Sequence, residues 1–289
     1  MIDRATMKLN IEPLLIDALR EDINCGDISA KSVLPVPKNG IASLICKSNG
    51  ILCGIEVFAR VFTLLDDSIE FTFNFRDGDE IKSGDLIAYV KGDMGTILSA
   101  ERTALNYLQR MSGIASRTHE ITQILKGSKT ELLDTRKTTP NNRIFEKYAV
   151  KTGGGNNHRY NLSGGIMLKD NHIGAAGGIT QAIAMARDYA PFVHKIEVET
   201  ETLEMVEEAV NAGADIIMLD NMDFETMDKA MKIIGTGAKT EISGNVDKTT
   251  LPDLLKLEPD YVSMGAITYS APVLDFSLKN LHQIGRAHV

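Results

Sequence analysis

A group of basic residues between Leu133 and Ile173 is the part of this chain with the clearest chemical potential. Its members are Arg136, Lys137, His158, Arg159 and Lys169. The chain as a whole carries a formal net charge of -8 at pH 7, so this local excess of cations runs against the overall balance. Guanidinium groups bind carboxylates and phosphates through paired hydrogen bonds. We therefore predict that the segment binds a small molecule with several negative charges.

Two acidic residues, Glu199 and Asp220, follow at the ends of strand-like segments. Either they hold Mg²⁺, directly or through water, or they bind ribose hydroxyls. Lys195 and Glu197 share a strand face with Glu199 by the two-residue period, and such charges are costly inside a protein unless they are paired or bound to metal. The alternative is a structural network of lysine and glutamate inside the fold. We favour that alternative for Lys195 and Glu197, and a functional role for Glu199 and Asp220.

Two loops with a central glycine follow the last two predicted strands. They are Ser243-Gly244-Asn245 and Met264-Gly265-Ala266. Barrel enzymes commonly bind phosphate with their final loops, where backbone N–H groups face the anion. The position of both loops therefore predicts a phosphate-binding site.

Arg102 lies in the first turn of a helix that we predict from about residue 100 to 111, with Ser99 as its cap. A cation is slightly unfavourable near a helix N-terminus because of the helix dipole. Another partner could hold Arg102 there, although an ordinary surface arginine is the simpler interpretation.

The candidate residues are positioned by regularly repeated strand and helix segments that begin after residue 112. The predicted strands are Glu131–Leu133, Ile166–Leu168, Lys195–Val198, Asp215–Leu219, Thr240–Ile242 and Tyr261–Ser263. The predicted helices are Ile179–Tyr189, Leu203–Ala212, Phe224–Ile233 and Leu251–Leu257. Repeated βα units predict parallel strands with right-handed crossovers.

The polar residues follow the same end of every predicted strand, and this distribution favours an α/β barrel with its site at the C-terminal mouth. The segment 113–270 is too short for eight units, so we expect an incomplete (β/α) barrel of about six or seven parallel strands. A doubly wound sheet, with its site at one switch point, is the alternative. Residues 1–112 mix strand and helix patterns and predict a separate α+β layer.

Composition argues against several functional classes. A pI of about 5.3 disfavours nucleic acid and anionic membranes as partners, and no apolar run approaches the ~20 residues of a membrane span. The three cysteines, Cys25, Cys46 and Cys53, form no CxxC pair and are expected to be free thiols in a reducing compartment. The first ten residues lack the apolar core of a signal peptide. These features together predict a cytoplasmic enzyme.

The motifs taken together resemble those of the quinolinate phosphoribosyltransferase family, also called nicotinate-nucleotide pyrophosphorylase (carboxylating). Two strings are highly specific, namely DTRKTTP at 134–140 and KDNHI at 169–173. Further matches are Glu21-Asp22 through Gly26-Asp27-Ile28, Ser99 to Asn106, Gly153 to Arg159, Glu197-Val198-Glu199, Leu219-Asp220-Asn221, Ser243-Gly244-Asn245 and Ser263 to Ala266. The resemblance covers nearly the whole chain, but Asn161 and Gly164 stand where many relatives carry Gly and Asp.

The resemblance implies an N-terminal α+β open-faced sandwich over residues 1–112, with segment 271–284 packing back on it, and an incomplete α/β barrel over 113–270. It also implies a homodimer. Residues 285–289 are interpreted as a non-native tail, because IGRAHV at 284–289 matches the translation of a common sequencing-library adapter.

The resemblance further implies a reaction: phosphoribosyl transfer from phosphoribosyl pyrophosphate to quinolinate, with release of CO₂ and pyrophosphate, in NAD synthesis. It implies catalytic roles for Lys137, Lys169, Glu199 and Asp220, with Mg²⁺ held near the last two. The implied substrate-binding residues are Arg102 (from the neighbouring subunit), Thr135, Arg136, Lys137, His158, Arg159, Lys169, Glu199, Asp220, Ser243, Gly244, Asn245, Met264, Gly265 and Ala266.

Three alternatives to this activity are retained. The first is a related phosphoribosyltransferase with another acceptor, such as those associated with molybdate transport. The second is a Schiff-base lyase with Lys169 or Lys137 as nucleophile, which would need a desolvated lysine. The third is a protein that binds a phosphosugar without catalysis, and it predicts binding without release of pyrophosphate.

Overall fold

The computed structural model describes residues 2–284, so the predicted tail at 285–289 lies outside the described residues. Contacts divide the described chain into two compact units, one of residues 2–119, 139–154 and 270–284, the other of residues 120–138 and 155–269. The predicted boundary at residue 112 assigned segment 139–154 to the barrel, whereas in the structure this segment belongs to the first unit. The reason is local, because Tyr148 donates a hydrogen bond to Asp77 at 2.9 Å within that unit.

Strands and helices are numbered here in chain order through both units. The strands are β1 (Asn39–Cys46), β2 (Gly50–Ile51), β3 (Glu70–Phe73), β4 (Glu80–Ile81), β5 (Leu86–Asp93), β6 (Glu131–Leu133), β7 (Ile166–Leu168), β8 (Ile196–Thr200), β9 (Ile216–Asp220), β10 (Lys239–Ser243), β11 (Tyr261–Ser263) and β12 (Phe276–Gln283). The helices are α1 (Arg4–Thr6), α2 (Glu12–Asp22), α3 (Ile28–Val33), α4 (Ile55–Thr63), α5 (Met94–Ile124), α6 (Arg143–Thr152), α7 (Asp170–Ala176), α8 (Ile179–Tyr189), α9 (Leu203–Asn211), α10 (Phe224–Ile234), α11 (Leu251–Leu254) and α12 (Ala266–Tyr269). A π-helical turn covers Met7–Ile11 and a 3-10 turn covers Leu255–Leu257.

The first unit contains an antiparallel sheet with strand order β12-β1-β5-β3. Alternate residues of β1, namely Ala42, Leu44 and Cys46, are buried, as the period of a half-buried strand requires. Helix α4 contributes an apolar face to the same core, where the Phe58 and Phe62 ring centroids lie 5.0 Å apart. Strand β12, within segment 271–284, pairs with β1 and completes one edge of the sheet.

Helix α5 is much longer than the predicted helix of residues 100–111, since it runs from Met94 to Ile124. Its true cap is Asp93, whose Oδ2 accepts from the Thr96 N–H at 2.9 Å. Ser99 therefore lies inside the helix, and its hydroxyl contacts Asp27 Oδ2 at 3.2 Å instead. The prediction placed the start nearly two turns too late because both residue types favour N-caps.

The second unit contains a six-stranded sheet with order β6-β11-β10-β9-β8-β7, and every neighbouring pair is parallel. Strands β7 to β11 follow one another in chain order, so the sheet has no internal reversal of the kind that marks a doubly wound fold. Among the described residues β6 and β7 do not pair, and the barrel is therefore open between them. This confirms the predicted incomplete barrel. A single parallel bridge between Leu133 and Asn156 extends the sheet slightly beyond β6.

No helix within residues 2–284 combines the length and the apolar character that crossing a membrane requires.

Candidate active site

A cavity of about 560 Å³ opens at the carboxyl ends of the barrel strands, entirely within the second unit. The predicted site residues that line it are Thr135, Arg136, Lys137, His158, Arg159, Lys169, Glu199, Asp220, Ser243, Gly244 and Asn245. The lining residues that sequence reasoning did not propose for the site are Met167, Met218, Asn221, Glu241, Ser263 and Tyr269. Parallel strands explain the convergence, because their carboxyl ends meet at one rim.

Arginine side chains form one side of the cavity. Arg159 donates from Nη1 to the carbonyl of Gly165 at 3.0 Å, which fixes the side chain along its own loop. Burial and the nearby charge of Arg136 lower the pKa of Arg159. Two guanidinium groups close enough to repel each other are stabilised by an anion between them, so this side of the cavity is suited to a carboxylate or phosphate.

Lys169 and Glu199 form an ion pair across the rim, from Nζ to Oε2. Lys169 ends the extended segment after β7, and its backbone N–H donates to Nδ1 of His172 at 3.1 Å. The predicted acidic residue is thus paired with a predicted cation. A partly exposed lysine that is paired with a carboxylate is unlike the desolvated, weakly basic lysine that forms Schiff bases.

Asp220 ends β9 and is tied to the loop that follows β10. Its Oδ2 accepts from the Asn221 side-chain amide at 2.7 Å, and Asn221 in turn accepts from the Asn245 amide at 3.3 Å. The backbone N–H of Asn221 donates to the Ser243 carbonyl at 3.1 Å. Asn221, Gly244 and Asn245 all have positive φ, of 54°, 84° and 53°. The result is a tight cradle of backbone beside a carboxylate.

The loop after β11 supports the cavity from behind. A Cβ on Gly265 would lie 3.0 Å from Lys137 Cδ and 3.2 Å from Thr135 Oγ1, so only glycine fits there without displacing them. Met264 donates its backbone N–H to the Leu133 carbonyl at 3.0 Å, and Ala266 begins α12. The predicted residues Met264, Gly265 and Ala266 are not among the residues that line the cavity in this structure.

His158 lies on two buried glutamates at the floor of the cavity. Its Nε2 is 3.0 Å from Glu197 Oε2 and 3.6 Å from Glu241 Oε2. Burial acts to lower the pKa of His158, but the hydrogen bonds and charges of the two glutamates outweigh it and raise the pKa to about 9. The Arg159 backbone N–H donates to His158 Nδ1 at 2.7 Å, so a second proton on the ring would require that N–H to turn away.

This arrangement corrects the predicted structural network for Glu197. Lys195 is exposed on the protein surface, and the partner of Glu197 is His158. Burial raises the pKa of Glu197, the hydrogen bond from His158 opposes that rise, and the charge of Glu241 adds to it. Glu241 itself had a signal in the sequence, because it precedes Ser243 by two residues as Glu197 precedes Glu199, and each pair therefore shares a strand face.

Two sets of residues fit a cation. Asp220 Oδ1 accepts no hydrogen bond among the described residues, and Asp220 and Glu199 offer the hard carboxylate oxygens that Mg²⁺ prefers when it also binds substrate phosphates. Separately, His158, Glu197 and Glu241 bring one ligand atom each to within 4.8 Å of one another.

Arg102 is located in the first unit, on α5, with an exposed side chain. Its predicted role involves a neighbouring subunit and stays a prediction. Asn161, one of the two departures noted in the sequence, accepts from the Ser163 backbone N–H at 3.0 Å and so forms a local turn.

The fold and the cavity define a class: an incomplete α/β barrel with an anion-binding site at the carboxyl ends of its strands. Two family models match the chain, the quinolinate phosphoribosyl transferase N-terminal domain over residues 27–112 and the C-terminal domain over residues 114–279. The chain belongs to the quinolinate phosphoribosyltransferase family, and the resemblance seen in the sequence is confirmed.

Relatives of known name agree with this assignment. The chain is 41% identical over 270 residues to a probable nicotinate-nucleotide pyrophosphorylase [carboxylating] of Bacillus subtilis, covering 93% of each chain. It is 47% identical to the crystal structure of NadC from Streptococcus pyogenes, with a TM-score of 0.93 and coverage of 99% and 100%. The nicotinate-nucleotide pyrophosphorylase structure from Francisella tularensis is 37% identical, with a TM-score of 0.87 and coverage of 93% and 95%.

Proposed function

We propose that this protein is a decarboxylating quinolinate phosphoribosyltransferase. It transfers phosphoribose from phosphoribosyl pyrophosphate to the ring nitrogen of quinolinate and yields nicotinate mononucleotide, CO₂ and pyrophosphate for NAD synthesis. The observation that carries the proposal is the convergence of Arg136, Arg159 and Lys169 on one cavity in a chain of this family. Such a cavity matches a dicarboxylate beside a phosphorylated sugar.

The arginines are suited to hold quinolinate by its two carboxylates. Arg136 and Arg159 lie close enough for the charge of one to lower the pKa of the other, and a carboxylate between them removes that repulsion. Binding in this way orients the ring nitrogen toward the sugar and removes the entropy cost of bringing two substrates together.

The opposite rim is suited to the phosphoribosyl group. The cradle at Gly244 supplies backbone N–H groups for the phosphate, and Lys137 and Lys169 supply charge for the pyrophosphate. Asp220 and Glu199 would hold Mg²⁺, which when bound neutralises negative charge on the departing pyrophosphate. The same carboxylates stabilise positive charge that develops on the ribose as its bond to pyrophosphate breaks.

The chemistry requires no nucleophile from the protein. The lone pair of the ring nitrogen forms the bond to ribose C1 as pyrophosphate leaves with the electrons of the C–O bond. The ring then carries positive charge, so the bond from C2 to its carboxylate can break with release of CO₂. The electron pair left at C2 takes up a proton, and the protein's role is to orient and to neutralise charge.

A direct test is to supply purified protein with quinolinate, phosphoribosyl pyrophosphate and Mg²⁺ and to measure CO₂ and pyrophosphate together. We expect equal amounts of the two products. Turnover of nicotinate instead of quinolinate would assign the protein to a related transferase, and binding without pyrophosphate release would make it a phosphosugar-binding protein.

The protein is also proposed to act as a homodimer in which Arg102 of one subunit completes the site of the other. Its exposed position on α5 supports this role, because the charge is available to a partner. Mixing Arg102→Ala with Lys169→Ala subunits should restore part of the activity in mixed dimers, since one site then has both residues. Absence of complementation in verified mixed dimers would refute the shared site.

A cytoplasmic location is proposed on the basis of the cysteines. Cys25, Cys46 and Cys53 are all free, and Cys25 is exposed. Free exposed thiols are typical of reducing compartments. Localisation of a tagged full-length chain by fractionation checks this.

A further inference from the structure

The two glutamates under the cavity come from strands that are not neighbours. Glu197 lies on β8 and Glu241 on β10, with β9 between them in the sheet. Their side chains nevertheless meet at one imidazole, that of His158. Glu197 is 4% exposed and Glu241 is 1% exposed, so both carboxylates are withdrawn from water.

His158 is fixed at three points. Its Nε2 lies on the two glutamates, and its Nδ1 accepts the Arg159 backbone N–H at 2.7 Å. Its own backbone N–H donates to Asp134 Oδ1 at 2.8 Å, and Asp134 is fully buried. Both ring nitrogens are therefore engaged by the protein. The position of the ring therefore fixes the backbone of the next residue, Arg159, through its N–H.

A purely structural role in holding the His158 ring would need only one of the two glutamates. One carboxylate is enough to accept the single Nε2–H, yet two are present, and the Oε1 atoms of Glu197 and Glu241 are both buried without a hydrogen-bond partner. Unpaired buried carboxylate oxygens and two like charges in proximity cost stability. Destabilising features of this kind, when they lie directly beneath a cavity, are expected to serve the function of the protein.

We propose that Glu197 and Glu241 are positioning residues for the acidic pyridine substrate. They hold the His158 ring, and through it the Arg159 backbone and side chain, in the geometry that receives a carboxylate of quinolinate. Arg159 reaches from this fixed point to the Gly165 carbonyl at 3.0 Å, which leaves its guanidinium at the cavity wall. The inference rests on the proposed function and adds two residues that do not themselves touch the substrate.

The test uses Glu241→Gln and Glu197→Gln in the full chain, with His158→Gln and the double variant Glu241→Gln/His158→Gln. Glu131→Gln, which alters an exposed carboxylate bonded to Asn156 at the other end of the sheet, is the matched control. CO₂ release from carboxyl-labelled quinolinate gives KM for each substrate and kcat, and thermal unfolding by circular dichroism gives Tm.

We expect Glu241→Gln to raise KM for quinolinate about tenfold, because a buried negative charge 3.6 Å from His158 Nε2 is lost, with little change in KM for phosphoribosyl pyrophosphate. Its Tm should change little, because the relieved repulsion between the two carboxylates opposes the lost stabilisation of the His158 ring. Adding Glu241→Gln to His158→Gln should have no further effect on KM, since the glutamate acts through that ring.

Two results would overturn the inference: an unchanged KM for quinolinate, whatever the Tm, or additive effects on KM in the double variant. If Glu241→Gln does not fold, Glu197→Gln takes the same test, and failure of both to fold would assign the pair a purely structural role. Wild-type turnover is measured first. If it is absent, the proposed function fails, and that outcome is distinct from a variant that behaves like an active wild type.

Discussion

Buried carboxylates are compensated very differently in the two units. Glu146 on α6 accepts from Arg110 at 2.9 and 3.2 Å with one oxygen and from the Thr139 backbone N–H at 3.2 Å with the other. Glu197 and Glu241 share one imidazole and each leave an oxygen without a partner. The first carboxylate is satisfied on both oxygens, as structural roles require, whereas the second pair is not. Incomplete compensation of these buried carboxylates therefore distinguishes the unit that contains the candidate site.

The same contrast extends to arginines. Arg110 donates to Glu146 and to the Ala271 carbonyl at 3.1 Å, so its donors serve the fold. Arg136 is exposed and lines the cavity, where its charge is available to the anion that we propose as ligand. The comparison predicts that substitutions at Glu146 or Arg110 lower stability, whereas substitution of Arg136 weakens substrate binding.

The largest effect is expected from Glu146→Gln. The substitution removes the charge of a buried carboxylate that pairs with Arg110, and should lower the free energy of unfolding by ~3 kcal/mol. Urea unfolding measures this loss, and KM for quinolinate should be unchanged below the unfolding transition. If Glu146→Gln kept its stability but lost affinity for quinolinate, the proposed difference between the two carboxylate sites would be wrong.

Arg136→Ala should have a slightly smaller effect, and on substrate binding rather than on stability. We expect kcat/KM for quinolinate to fall about hundredfold because charge-assisted hydrogen bonds to a carboxylate are lost, while Tm changes little. Arg76→Ala removes an arginine whose side chain is 89% exposed and serves as the control. Equal kinetics for the two variants would remove Arg136 from the binding site.

Gly244→Ala extends the comparison to a glycine within the second unit. The added Cβ would lie 2.2 Å from Asn221 Oδ1 at a φ of +84°, so the cradle beside Asp220 must shift. We expect KM for phosphoribosyl pyrophosphate to rise about tenfold through the lost anion contacts. Gly213→Ala has a similar φ of +76° with nothing within 4 Å, so it should cost stability alone.

The smallest predicted effect is the titration of His158. Nuclear magnetic resonance of labelled histidine rings should give a pKa above the usual value, toward about 9, and Glu241→Gln should lower it. A folded pKa above the unfolded one stabilises the protein fully below about pH 6.5, and that contribution is lost as pH rises through the folded value. A pKa unaffected by Glu241→Gln would mean that its charge does not reach the ring.

The barrel was predictable because each buried strand ends in polar residues. Predicted β6, β7 and β11 match the observed bounds, and the helix at Ile179–Tyr189 does as well. Short apolar runs between turn residues identify parallel strands, and their common carboxyl ends identify the cavity rim. The cationic segment was recognisable for the same reason, as its charge contrasts with an acidic chain.

Pairing between distant side chains could not be predicted. Nothing in the sequence indicates that Glu197 meets His158 rather than Lys195, because that contact depends on how the loop after Asn156 runs over the sheet. Helix α5 was underestimated because Asp93 and Ser99 are equally good caps by type, and only the fold selects the first. Segment 139–154 lies in the sequence between barrel strands β6 and β7 but belongs to the first unit, and no local sequence pattern indicates this.

The opening between β6 and β7 has a consequence for how this fold can change. The chain that spans it carries His158, held to Asp134 beyond β6, and Arg159, whose Nη2 lies 3.7 Å from Met167 Sδ on β7. These side-chain contacts lie where a closed barrel would have backbone hydrogen bonds between neighbouring strands. An insertion that supplied the missing strands would displace the loop that carries His158 and Arg159, so we expect lengthening here to be tolerated far less than at the opposite rim.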